Sequence, residues 1–528
     1  MITSPILDPA CNPFAGMDVR VWLEGAARRG GDKLCLVWEP FDGTTERWTY
    51  KEFVDRVARF GAGLYRRGIR QGDTLILHMD NAPEQLIAWL GCSWIGAVAV
   101  TTNAKSSLDE LTYFAEKSKA RAAITQPVFA SLTAEAMPDA EWIAVTHTNS
   151  GDPAEPPGDA FLDYEALSSD PRGLPVSDRD CSKPFGIQFT SGTTSRPKGV
   201  VWTHANALWG AQLSAIHEGL TSSDVHLVYL PLFHTNAQVY SVLATLWAGG
   251  TIVLQPRFSA SRFWPVSLKH GCTWSSMVPF MVQALLKQDK PDTHSYRFWG
   301  NGVCDIPTDA HFGVRTLGWW GMTETITHGI VGSVHDKDLP KSMGRPSIGY
   351  EIGVFRNDGQ RARTGETGDL RVKGVRGLSL FLEYLDDESA TAASFDEEGW
   401  FLTGDRVTLA ENGWLVFADR AKDMLKVGGE NVAASEVERV IASLDFVHEV
   451  AVVGRPDTML NEVPVAFVKL TGAQQLTESE LADHIVAICK RQLAAFKVPQ
   501  EVIFVSEFPR ATLNKIAKAE LKKQLVTA

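Results

Sequence analysis

The residues most suited to chemistry sit in one short stretch. Ile187-Gln188-Phe189 leads into Thr190-Ser191-Gly192-Thr193-Thr194-Ser195-Arg196-Pro197-Lys198-Gly199. Glycines let backbone N–H groups approach a phosphate, hydroxyls add donors, and Lys198 adds a positive charge. The stretch is not a Walker A loop, because the GxxxxGK[ST] spacing is absent. Composition alone leaves an ordinary polar loop open as well.

Other chemistries are poorly provided for. The seven cysteines (Cys11, Cys35, Cys92, Cys181, Cys272, Cys304 and Cys489) are odd in number and dispersed, with no CxxC pair. A structural zinc site or a disulfide framework is therefore not expected, and a reducing compartment fits. The net charge of −12 comes from 51 Lys and Arg against 63 Asp and Glu. Non-specific binding to nucleic acid or to an anionic membrane needs a basic face, so neither polymer nor bilayer is an expected partner. The first 20 residues lack a signal-peptide pattern, and no stretch approaches the roughly 18 apolar residues of a membrane span. A cytoplasmic location is the expectation.

The elements that must hold the loop read as α/β. The chain has 528 residues, 44% of them apolar, which at roughly 150 residues per domain allows three or four units. Phe53, Val57, Phe60 and Leu64 have helical spacing within Tyr50 to Tyr65, and Thr74 to Met79 reads as a strand. This alternation predicts layered α/β subdomains with parallel strands. Met137 to Asp163, rich in Pro and Gly, reads as a surface connection. Residues 343–419 read as a small β-rich subdomain, with strands at Leu370 to Lys373 and Trp414 to Phe417. Beyond Arg420, Ser435-Glu436-Val437-Glu438 has the form of a capping box, and Val437, Val440, Ile441 and Leu444 continue a helix. Val450 to Val453 and Val463 to Val468 read as strands. Residues 422–528 hold 13 Lys and Arg against 14 Asp and Glu, so the acidity belongs to the front part. The boundary is placed near 420: residues 1–420 form one large domain and 421–528 a small α+β one.

The loop is more specific than its composition. It resembles the signature of the adenylate-forming superfamily, which includes acyl-CoA synthetases, peptide-synthetase adenylation domains and firefly-type luciferases. The resemblance continues in order along the chain. It runs through Trp48-Thr49-Tyr50-Lys51-Glu52-Phe53, Pro231-Leu232-Phe233-His234 and Gly321-Met322-Thr323-Glu324. It then passes through Gly399-Trp400-Phe401-Leu402-Thr403-Gly404-Asp405, and the segment from Asp419-Arg420 to Gly429-Glu430-Asn431. It ends at Pro509-Arg510 with Asn514-Lys515-Ile516. Ser195 and Arg196 stand where the family has Gly-x before Pro197, and Asn514 where it has Gly.

This resemblance implies an ATP-dependent activation of a carboxylic acid as acyl-AMP, with release of pyrophosphate, followed by transfer to a thiol. Thr190, Ser191, Gly192, Thr193, Thr194 and Lys198 would hold the ATP phosphates. Gly300, Asn301, Gly302, Trp319, Trp320, Gly321 and Met322 would surround the nucleotide, with Trp320 in place of the usual Tyr beside adenine. Thr323 would contact the α-phosphate and Glu324 would hold Mg²⁺, a hard cation that favours carboxylate and phosphate oxygens. Asp405 and Arg420 would hold the ribose, Lys422 would be a hinge, and Lys515 the adenylation lysine. Lys426, Gly428, Gly429 and Glu430 would serve the CoA half-reaction.

Acyl-pocket candidates are His234, Thr235, Asn236, Gln238, Trp209, Trp299 and Thr325. His234 is equally readable as a core histidine. An acyl-CoA ligase of the carnitine/crotonobetaine-CoA ligase-like branch is the leading expectation, and an acyl-AMP ligase loading a separate carrier protein is the alternative. The acid stays open among aryl, alkyl and betaine types, and a homodimer stays open as the oligomeric state.

Overall fold

The computed structural model describes residues 2–154, 158, 160–190, 196–420, 424–472, 476–509 and 516–527. These divide into two compact units. One comprises Met1–Ala104, Phe114–Phe189 and Gly199–Asp419, and the other is built mainly from Arg420–Ala528.

Two sheets with parallel centres lie in the first unit. In one, Val225–Val228 lies between Thr251–Leu254 and Trp274–Ser276, followed by Phe298–Asn301 and Arg315–Trp320, all parallel. In the other, Val98–Thr101 lies between Thr74–His78 and Pro184–Thr190, also in parallel register. These strands read as continuous apolar runs because both faces are covered. The helix Tyr50–Arg66 starts at a capping box in which the Thr49 hydroxyl accepts from Glu52 N–H and the Glu52 carboxylate accepts from Thr49 N–H. It buries Phe53, Val57, Phe60 and Leu64, the periodic set read from the sequence.

Within residues 343–419 the structure has an antiparallel sheet of Glu351–Phe355, Thr367–Lys373, Phe401–Leu409 and Leu415–Arg420. Met137 to Asp163 is more than a surface connection. It contains Ile143–Val145, a wholly buried strand added in parallel beside Ala122–Thr125. Three residues are too short to show a period against the surrounding Pro and Gly.

In the second unit, Val447–Asp457 and Asn461–Leu470 form a long antiparallel hairpin. Its two faces bury different sets, Val452, Ala466 and Val468 against Val437, Ile441 and Ile485, and Ala451, Val453, Val465 and Phe467 against Phe508 and Leu521. The capping box expected at Ser435 does not form. The helix begins at Ala434 with Ala433 as its N-cap, so Ser435 already lies inside it. Glu438 instead accepts from Val452 N–H at 2.7 Å and pairs with Lys518 at 2.7 Å.

Candidate active site

The strand Arg315–Trp320 delivers Gly321 to Thr325 at its C-terminal end, where ligand sites of parallel α/β sheets gather. The short turn Thr323–Thr325 is held from several sides. Trp202, almost fully buried, donates its indole N–H to Thr323 O at 2.9 Å, and Phe381 N–H donates to Glu324 O at 2.9 Å. Tyr384 Oη donates to Glu324 Oε1 at 2.8 Å. Thr325 Oγ1 accepts from Met322 N–H at 3.0 Å and donates to Met322 O at 3.1 Å. Glu324 is 5% exposed, so its carboxyl group is held in place and largely dehydrated.

Strain follows immediately. Ile326 has φ 65° and ψ −53°, and Thr327 N–H donates to Thr325 O at 2.6 Å. That is a γ-turn of the rare hand centred on a β-branched residue, which costs energy and persists only where the surroundings enforce it. Ile326 is wholly buried, and a Cβ on Gly210 would come within 3.0 Å of its Cγ2.

Asp405 is 4% exposed. Its Oδ2 accepts the Trp320 indole N–H at 2.8 Å. The Trp that replaces the expected Tyr therefore orients this carboxylate, a contact that the sequence did not foretell. Beside Trp320, Trp319 lies across Gly300, where an added Cβ would sit 1.6 Å from the indole Cη2. Adjacent residues of a strand face opposite sides, so Trp299 points away from Trp319. It joins an aromatic core with Phe312, Phe263 and Trp264 at ring-centroid distances of 5.1, 5.6 and 5.9 Å. Trp299 is 1% exposed within this core. Asn301 Oδ1 accepts from Gly302 N–H at 2.7 Å, and the space beside Gly302 is open.

The other acyl-pocket candidates cluster around a π-helix, Asn236–Leu243, a local form that is frequent at functional sites. Thr235 Oγ1 donates to Gln188 Oε1 at 2.9 Å and lies 3.4 Å from Thr323 Oγ1. Gln238 is 1% exposed. Its amide N–H groups donate to Leu232 O and Thr101 Oγ1, and Gln188 donates to its carbonyl. Gln238 thus braces Gln188, which accepts from the Thr235 hydroxyl. Asn236 and His234 are half-buried, and Trp209 packs against Gly349.

Among the phosphate-loop residues, Thr190 ends the strand Pro184–Thr190 and Lys198 begins Lys198–Thr203. Arg196 lies over the Tyr113 ring at 4.9 Å, and Tyr113 Oη donates to Pro197 O at 3.0 Å. In the second unit, Lys426 to Glu430 form a hairpin tip with Gly428 and Gly429 at φ 60° and 91°. Only glycine is at ease there. Ser191, Gly192, Thr193, Thr194, Ser195, Lys422, Asn514 and Lys515 lie outside the described residues, as does the Arg420 side chain.

Among the described residues, no group of three or more His, Cys, Asp or Glu can hold a metal ion. Glu324 as a single buried carboxylate fits Mg²⁺, which is commonly held by one or two carboxylates together with substrate phosphates.

Comparison with known proteins settles the family. A model described as "AMP-binding enzyme" matches residues 23–385, and one described as "AMP-binding enzyme C-terminal domain" matches 436–515. The chain belongs to the AMP-binding enzyme family. Among curated members, the crotonobetaine/carnitine–CoA ligase of Escherichia coli O139:H28 is 34% identical, the match covering 96% of this chain and 99% of that one. Among solved members, o-succinylbenzoate CoA synthetase from Bacillus subtilis superposes with a TM-score of 0.81 at 28% identity, covering 95% and 98% of the two chains. A benzoate CoA ligase from Burkholderia xenovorans LB400 gives 0.68 at 26%, covering 96% and 100%. The large α/β domain and the small C-terminal domain are therefore those of this family. No helix of the described residues is long and apolar enough to cross a membrane.

Sequence reading missed Trp202 and Tyr384, which position Thr323 and Glu324. Neither lies in a recognisable motif; they reach the site only through packing.

Proposed function

We propose that this AMP-binding family member is an ATP-dependent acid–thiol ligase. A carboxylate attacks the α-phosphorus of ATP, forming acyl-AMP and expelling pyrophosphate. The CoA thiol then attacks the acyl carbon, giving acyl-CoA and AMP. One observation carries the reading: Thr323 and Glu324 are locked by Trp202, Tyr384 and Thr235, while Asp405 is locked by Trp320. In-line phosphoryl attack needs little covalent help from a protein, so fixed hydroxyl and carboxylate groups are its main requirement.

In this reading Thr323 binds the α-phosphate and Glu324 is the residue that would hold Mg²⁺, whose chemistry is to neutralise phosphate charge. Asp405 and Arg420 hold the ribose, the loop from Thr190 to Lys198 takes the β- and γ-phosphates, and Lys515 takes the developing charge. The segment Lys426 to Glu430 serves thioester formation, and Lys422 is the hinge between a large domain, 1–420, and a small one, 421–528. AMP and a CoA-product analogue are bound in structures of the Bacillus subtilis o-succinylbenzoate CoA synthetase, which supports nucleotide and CoA as ligands here.

The test is ATP–pyrophosphate exchange across a panel of acids, then AMP release with CoA. Exchange that depends on acid, a thioester only with CoA, and loss of both in Lys515→Ala are expected. AMP release with an acylated carrier protein but none with CoA would replace the acceptor. No exchange with any acid would end the ligase reading. A cytoplasmic homodimer is part of the proposal, checked by light scattering and by cell fractionation.

A further inference from the structure

The helix Leu108–Ser118 carries two aromatic residues in succession, Tyr113 and Phe114, that the chemistry above does not use. Each reaches a different end of the phosphate loop. Phe114, 6% exposed, stacks on Phe189 at 4.3 Å with 24° between the ring planes, and Phe189 immediately precedes Thr190. Tyr113 Oη donates to the carbonyl of Pro197, the residue before Lys198, at 3.0 Å. The Arg196 guanidinium lies over the Tyr113 ring at 4.9 Å. Successive side chains of a helix diverge by about 100°. One ring therefore meets the entry strand while the next meets the exit.

The helix is itself anchored. At its start Ser107 N–H donates to Glu110 Oε2 at 2.8 Å and Glu110 N–H donates to Ser107 Oγ at 3.3 Å, which is a capping box. Near its end Lys117 donates to Asp386 O at 3.1 Å. The neighbouring Leu385 N–H donates to Gly199 O at 2.7 Å, so the exit strand is tied a second time, one residue beyond Lys198. Thr190 and Lys198 grip a polyphosphate well only if their spacing is set before it arrives, because each segment ordered on binding subtracts from affinity.

We propose that Tyr113 and Phe114 are positioning residues that set Thr190 and Lys198 for the β- and γ-phosphates of ATP, with Arg196 anchored on Tyr113 as part of the stem. The proposal rests on the reading of these two ends as phosphate contacts. It has a consequence that general destabilisation does not share. AMP lacks the β- and γ-phosphates, so a loosened stem weakens ATP and spares AMP.

Calorimetric titrations with ATP plus Mg²⁺, and separately with AMP, test it. Wild type is compared with Tyr113→Phe, Tyr113→Leu, Phe114→Leu, Arg196→Gln and the double variant of Tyr113→Leu with Arg196→Gln, and folding is checked by Tm. Tyr113→Leu should weaken ATP about 5- to 30-fold and leave AMP within twofold. Tyr113→Phe keeps the ring and loses the hydroxyl, so ATP should weaken about threefold. Phe114→Leu should weaken ATP about 2- to 10-fold. Arg196→Gln should weaken ATP in the wild-type background and cost nothing further beside Tyr113→Leu. Equal weakening of ATP and AMP in Tyr113→Leu, or unchanged ATP binding, overturns the proposal. So does an equal cost of Arg196→Gln in both backgrounds, which would make the guanidinium a phosphate ligand. Should Tyr113→Leu fail to fold, the same ATP-against-AMP comparison in Tyr113→Phe decides. ATP-selective loss in a protein that exchanges pyrophosphate with no acid keeps the positioning and removes the ligase reading. Acid-dependent exchange with an unchanged KM for ATP in Tyr113→Leu does the reverse.

Discussion

The indole N–H of Trp320 donates to Asp405 Oδ2 at 2.8 Å, with both side chains more than nine-tenths buried. One strand end thereby orients the carboxylate of a separate β-sheet. Trp320→Phe keeps an aromatic face but removes the donor, leaving a buried carboxylate short of one bond, at about 1–3 kcal/mol. We expect KM for ATP to rise about 5- to 100-fold with a smaller change in kcat. Trp320→Tyr should lose less. Unchanged KM in Trp320→Phe would remove Asp405 from nucleotide binding.

Glu324 is fixed by Tyr384 at 2.8 Å. Glu324→Gln keeps the shape and removes the charge, so kcat should fall on the order of 10²- to 10³-fold. Titration with Mg²⁺ should recover part of the loss. Tyr384→Phe leaves the charge and frees the side chain, and a loss of roughly 3- to 10-fold is expected. Glu324→Gln within twofold of wild type would make Glu324 an ordinary turn residue.

Trp319 occupies the space that a Gly300 side chain would need. Gly300→Ala must shift the indole, and overpacking of this kind costs about 1–3 kcal/mol. We expect a lower Tm and weaker acid binding. In a Trp319→Leu background the same substitution should cost much less, because the clashing atoms are gone. Additive losses in this double-mutant cycle would show that the two residues do not interact.

The site was legible where residue type alone carries the chemistry. A Thr-Glu pair beyond a strand and an Asp after Gly404 are visible in the sequence pattern itself, and the hydroxyl loop is flanked by the strands Pro184–Thr190 and Lys198–Thr203. The parts that were hidden depend on distant partners. The π-helix Asn236–Leu243 and the strained turn at Ile326 have no period of their own. Trp319 and Trp299 look alike in sequence, yet strand register over Gly300 sends them to opposite faces of the sheet. Glu218 and His328 are 110 positions apart in the numbering and meet only after folding.

Buried histidines give the large unit a predictable response to acid. Burial holds His78 and His217 down to about 4 and His226 to about 3, with His328 also well below 6.5. In the unfolded chain each would titrate at the ordinary value, so between about pH 6.5 and 4 the unfolded state binds more protons. Stability is therefore present above that window and is lost as pH falls through it, by up to about 1.4 kcal/mol per pH unit for each such group. The histidine contribution should lower Tm as pH falls below 6.5, while the buried carboxyls of Glu84, pushed up to about 7, and Glu218, pushed well above the carboxylate range, act in the opposite direction. His226 Nδ1 lies 3.2 Å from Thr245 Oγ1 and its ring packs 6.2 Å from that of Trp274, so His226→Asn should lower Tm at neutral pH yet shallow the acid slope. An unchanged slope in that variant would assign the acid response to the carboxylates instead.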